Sequence, residues 1–201
     1  MAASAEYYQH LVEAFSDTES LTVLVVAGSS PETVAGVLDV DLTAPIGRDG
    51  AWDEEGTTAW ALLDVPGGVL AVEPTGFGDP TCAALQRLSV GGAAAVVRHN
   101  VLAHLRFGCA RDGELLFDDN EYMFVEDPDV VPTELRPLFD LVWTDLEDED
   151  EDEDEFNGFD VGLAMGEQVT GIRLTADHVA ELDRSEYFRA PSQVYVASLD
   201  D

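Results

Sequence analysis

The chain has 201 residues, 46% of them hydrophobic, which is enough for one well-buried core and too little to require two. Its charge is lopsided: 42 Asp and Glu face 9 cations, every one of them Arg, for a net of −33. Such a field repels polyanions, so it argues against nucleic acid as a direct ligand and favours a basic protein, a cation or simple solubility.

Taken in order, the N-terminal stretch MAASAEYYQHLVEAF lacks a basic leader and its apolar residues Tyr8, Leu11, Val12 and Phe15 fall on one face of a short helix. It reads as neither a signal peptide nor a membrane span, so the expectation is a cytoplasmic protein with no membrane partner. Leu21–Ala27 is a Val-rich run stopped by Gly28-Ser29-Ser30 and predicts a buried strand. Ser30 before Pro31 predicts a capped helix whose inner face is Val34, Val37 and Leu38. Asp41–Gly56 has no periodicity and reads as loop. Thr58–Val65 and Val69–Glu73 read as strands joined by Pro66-Gly67-Gly68.

Asp79 with Pro80 behind it predicts the start of a helix carrying Cys82, Leu85 and Leu88 and closed by Gly91-Gly92. The apolar stretch Ala93–Ala110 is too long for one strand, whose usual length is about 5 to 6 residues, so a turn or bulge is expected near His99-Asn100. In its second half Val101, Ala103, Leu105, Phe107 and Cys109 share one face, and Leu102, His104 and Arg106 the other. Asp112-Gly113 then turns the chain into Leu115, Leu116 and Phe117, and this hairpin is the expected keystone of the fold. A helix within Pro132–Trp143 follows, its start delayed by Pro137. Later helices are expected around Val161, Met165 and Val169 and after Thr175, with a final edge strand at Gln193–Ala197.

Glu147–Glu155 is an unbroken acidic run with no apolar residue, and predicts a disordered loop over 145–156 within a single domain spanning 1–201. Without its nine acids the remaining 33 still face 9 cations, a net of −24, so the folded part is acidic on its own account. The fold class expected from these elements is α+β, a mostly antiparallel sheet packed with helices.

The segments LTVLVVAGSSPETVAGVLDVD, GGVLAVEPTGFG, LQRLSVGG, NVLAHLRFGCARDGELLF and EQVTGIRLTADHV together resemble an uncharacterised actinobacterial family, a domain of unknown function. Their motifs are structural: glycines at turns, a Glu-Pro after a strand, an Asn between strands, an Arg-Asp-Gly hairpin. The acidic run departs from that pattern. The resemblance implies a fold and no activity.

No motif assigns a catalytic, cofactor-binding or metal-binding residue. Thr75–Gly78 before a helix lacks the Lys and the spacing of a phosphate loop. His10, His99, His104 and His178 have no zinc-ligand spacing, Cys82 and Cys109 fit none either, and Ser89 is not in a nucleophile elbow. What stands out is position. Arg87, Arg98, Arg106 and Arg111 crowd one stretch, and Arg98, Asn100, His104 and Arg106 have the same parity along it. They form either a local anion or carboxylate site or a set of ion pairs with the surrounding acids. Glu73, Arg98, Asn100, His104 and Arg106 are therefore the candidate binding residues. The expected function is a non-enzymatic acidic binding protein, an adaptor or immunity-type neutraliser engaging a basic protein partner and needing no cofactor. The alternative is a small-molecule enzyme with a pocket near Glu73, Asn100, His104 and Arg106.

Overall fold

In the computed structural model, which describes residues 3–12, 15, 20–48, 56–100, 104–145 and 158–192, seven strands form one sheet. They are β1 (Leu21–Ala27), β2 (Thr57–Val65), β3 (Gly68–Glu73), β4 (Ala93–His99), β5 (Leu105–Arg111), β6 (Glu114–Asp119) and β7 (Phe188–Pro191). Their order is β6-β5-β4-β1-β3-β2-β7, and every pairing is antiparallel. The centre goes to β1 because it is apolar on both faces: Leu21, Val23 and Val25 enter one core, Leu24 and Val26 the other.

Among the described residues six α-helices cover the sheet: α1 (Ala5–Val12), α2 (Pro31–Leu38), α3 (Cys82–Leu88), α4 (Arg136–Asp145), α5 (Gly158–Thr170) and α6 (Ala176–Leu182). The larger core holds residues of α1, α4, α5 and α6, and the smaller one those of α2 and α3, so the domain has three layers. Almost all of α5 is buried, as expected for a helix wedged between β4 on one side and α1 and α4 on the other. This is the antiparallel α+β architecture that the sequence pattern predicts.

Local chemistry accounts for most boundaries. Ser30 caps α2, its hydroxyl accepting from Thr33 N, with Pro31 at the first helical position, and Thr175 caps α6 by accepting from His178 N at 3.2 Å. The β5–β6 hairpin closes on Asp112 and Gly113, with φ of 50° and 85°, the positive values a two-residue turn demands.

One expectation changes. Asp79 is not the cap of α3: Thr81 is, accepting from Ala84 N at 3.2 Å, and Asp79 turns inward to two arginines. Pro132–Leu135 forms a separate turn, Leu135 N donating to Pro132 O at 2.8 Å, so α4 begins only at Arg136 with Pro137 harmlessly in its first turn. The last described strand is Phe188–Pro191, which pairs with Thr57–Trp60 of β2. The expected Gln193–Ala197 strand, the acidic run Glu147–Glu155 and Val101–Ala103 lie outside the described residues.

Candidate functional site

Residues opposite each other in an antiparallel pair point to the same face of the sheet. Arg106 of β5 stands opposite Arg98 of β4, Arg98 opposite Thr22 of β1, and Thr22 opposite Glu73 of β3. Three of the five candidate residues thus lie on one transverse row, on the face that α2 and α3 cover. Three inter-strand steps separate its ends, about 14 Å from Glu73 to Arg106 along the backbone. Arg106 and Glu73 are fully buried, and Arg98 is 7% exposed.

The arginine end of the row is an alternating charge cluster. Arg106 Nε and Nη2 donate to the two oxygens of Asp118 at 2.7 and 3.1 Å, a forked pairing, while Nη1 donates to Asp79 and to the Pro80 carbonyl at 2.7 Å. Arg98 Nε lies 3.2 Å from the other Asp79 oxygen, and its guanidinium also donates to Asn120 Oδ1. Burial works against the Arg106 charge, but Asp79 and Asp118 more than restore it and hold the guanidinium protonated. Burial raises the Asp79 carboxyl against the opposing pull of Arg106 and Arg98.

Both cysteines are free thiols. Cys82, at the start of α3, donates its thiol to Asp118 at 2.7 Å, and burial together with that carboxylate pushes it up to about 11. Burial pushes Cys109 up to about 12. At neutral pH each is a thiol rather than a thiolate nucleophile.

The other end of the row is built around Glu73. Its Oε1 accepts from the hydroxyls of Thr58 and Thr75 and from Thr75 N at 3.0 Å, whereas Oε2 has no hydrogen-bond partner. The loop after β3 lies directly on it. A Cβ on Gly78 would stand 2.5 Å from Glu73 Cγ and 3.0 Å from the Trp60 ring, so only glycine lets the backbone close there. Burial drives the Glu73 carboxyl upward, and the Thr58, Thr75 and Gly78 donors offset only part of this.

A carboxyl whose folded pKa is raised binds more protons folded than unfolded, so it lowers stability as pH rises from the unfolded value toward the folded one. Glu73→Gln keeps an acceptor for the threonines and carries no charge. Urea melts from about pH 4 to about pH 8 should show the parent losing stability relative to the variant as pH rises. Parallel curves would mean that Glu73 titrates alike in both states.

Asn100 and His104 lie apart from this interior. They bracket the β4–β5 turn: His104 N donates to Asn100 Oδ1 at 3.1 Å, and Asn100 N to His104 O at 3.3 Å. The His104 ring pairs through Nδ1 with Glu121 Oε1, and the two side chains are 41% and 39% exposed. The structure therefore assembles Glu73, Arg98 and Arg106 inside and leaves Asn100 and His104 at the rim. Equal parity brought Arg98 and Arg106 together only because the chain reverses between them. A histidine oriented by a carboxylate is competent for proton transfer, whereas the buried arginines act on the sheet itself.

Sequence reasoning missed the partners: Asp79, Asp118 and Asn120 for the arginines, Thr58 and Thr75 for Glu73, and Glu121 for His104. Asp118 and Asp119 ending a strand signalled charge there, but not the face on which it falls.

Among the described residues no helix is long and apolar enough to cross a membrane, and no group of three or more His, Cys, Asp or Glu is placed to hold a metal ion. No curated protein and no solved structure matches the chain. A match over residues 1–191 is found with the Family of unknown function (DUF6461). It accounts for every described element of the sheet and its helices, and the chain belongs to that family.

Proposed function

We propose that the protein is a non-enzymatic acidic binding protein whose folded surface engages a basic protein partner in the cytoplasm, as an adaptor or an immunity-type neutraliser. The observation that carries this reading is where the cations go. Arg48, Arg98, Arg106, Arg111, Arg136 and Arg173 are each ion-paired to an Asp or Glu of the same chain. With only 9 cations against 42 acids, most carboxylates are left to set the outer field. That field accelerates encounter with a positive surface and repels a negative one.

The field fades beyond roughly 8 Å at physiological salt, so binding should weaken as salt rises, mainly through the association rate. A pull-down from the native cell followed by a salt titration checks this, with the intact chain compared against one lacking Glu147–Glu155. Basic proteins should be held at low salt and shed as salt rises, and the deletion should slow capture without abolishing it. Failure to retain any basic protein at low salt would overturn the reading.

The His104–Glu121 pair favours a second reading, a small-molecule enzyme using Glu73, Asn100, His104 and Arg106. Turnover of a small molecule that is abolished by His104→Ala would establish it in place of the first.

A further inference from the structure

Between β6 and α4 the chain makes two consecutive one-turn 3₁₀ helices, Tyr122–Phe124 and Pro128–Val130. Each turn is closed by its own backbone, Phe124 N donating to Glu121 O at 2.8 Å and Val130 N to Asp127 O at 3.2 Å. Each is also anchored by a valine directly after it, Val125 and Val131, which are 9% and 2% exposed. Anchoring the valine turns the preceding side chain outward. Phe124 is 63% exposed and Val130 56%, two large apolar groups held in solvent by the fold itself.

Their surroundings say what kind of surface could cover them. Glu126 and Asp127 are exposed between them, Asp129 beside them is ion-paired to Arg136, and no Lys, Arg or His lies between Arg111 and Arg136 in the sequence. An apolar pair flanked by carboxylates rejects a neutral or acidic partner, because the charges would have to be desolvated without compensation. A second copy of a chain with a net charge of −33 is rejected for the same reason. We infer that the Glu121–Val130 stretch docks a basic segment of a partner protein that carries an apolar side chain among its lysines or arginines. Apolar contact falls on Phe124 and Val130, and the cations meet Glu126 and Asp127. This rests on the binding-protein reading and names the partner chemistry for it.

The test uses the full chain and two peptides of equal charge, one a short Lys–Leu sequence and the other oligolysine, with affinity read by fluorescence anisotropy. The Lys–Leu peptide should bind roughly tenfold more tightly. Phe124→Ser combined with Val130→Ser should remove that preference while leaving oligolysine affinity and the melting temperature unchanged. Val90 is 71% exposed but sits on the turn between α3 and β4, so Val90→Ser should keep the preference. Equal binding of the two peptides, or a preference that survives the double variant or is lost in Val90→Ser, would overturn the docking site. In those cases retained oligolysine binding would leave the acidic-surface reading standing. Binding of neither peptide would overturn both.

Discussion

Replacing Arg106 with methionine should destabilise the domain by about 3–5 kcal/mol, the usual consequence of removing one partner from a buried ion pair. The Arg106 side chain is 0% exposed, and Asp79 and Asp118 beside it are 1% and 3% exposed. In the variant Asp118 keeps only the Cys82 thiol among its described side-chain partners, and Asp79 keeps Arg98. Two carboxylates would then be buried with one guanidinium between them, and the cheapest response is to protonate one. The variant should therefore recover more stability than the parent as pH falls toward the carboxylate range, because its folded state takes up a further proton that the unfolded chain at that pH lacks. Urea unfolding of both proteins at neutral and at mildly acidic pH measures the two effects together. A loss below about 1 kcal/mol would mean that the cluster is solvated like a surface ion pair. Arg106, with Asp79 and Asp118, closes the interior of the sheet.

What was legible in the sequence was what local chemistry decides. Leu21–Ala27 is a strand with the boundaries its apolar run predicts, because a segment apolar on both faces has nowhere to go but the middle of the sheet. Ser30-Pro31, Asp112-Gly113 and Thr175 each specify a cap or turn through their own backbone preferences, independent of anything distant. Asp79 shows the limit. Before a proline it carries the same local signal as a cap, yet ion pairing with Arg106 and Arg98 outweighs a cap hydrogen bond that Thr81 can supply instead.

Asp118 was hidden for a sharper reason. Counting back from the Asp112-Gly113 turn in regular register places it opposite Phe107, on the apolar face. A register shift between Cys109 and Ala110 inserts one residue into β6, moves Asp118 opposite Gly108 and so aims it at Arg106. A one-residue slip changes the face of every later side chain, and nothing local announces it. Phe124 and Val130 are equally opaque, since each stands beside a valine and nothing local says which of the two is buried. Only the tertiary anchoring of Val125 and Val131 decides which apolar residue of each group stays outside.

Phe107→Ala should cost a similar amount, about 3–5 kcal/mol, and from the opposite face of β5. Phe107 is 0% exposed, with ring centroids 6.2 Å from Phe117 and 6.0 Å from Tyr122, and Tyr122 in turn lies 6.4 Å from Phe139 of α4. The Tyr122 hydroxyl donates to the Gly158 carbonyl at the start of α5, so this aromatic chain joins the β5–β6 hairpin to two helices. Truncating Phe107 removes its own buried area and opens a void beside the Phe117 and Tyr122 rings, which are too large to collapse into it. The same void loosens the turn containing Tyr122, and with it the presentation of Phe124. Under conditions where the variant is still folded, amide exchange should therefore quicken first at Phe124 and Val125, whose N–H groups close that turn, while β1 at the sheet centre stays protected. Equilibrium unfolding gives the size of the loss and exchange gives its location. A loss below about 1 kcal/mol, or exchange that quickens uniformly, would show that the hairpin does not carry this end of the fold.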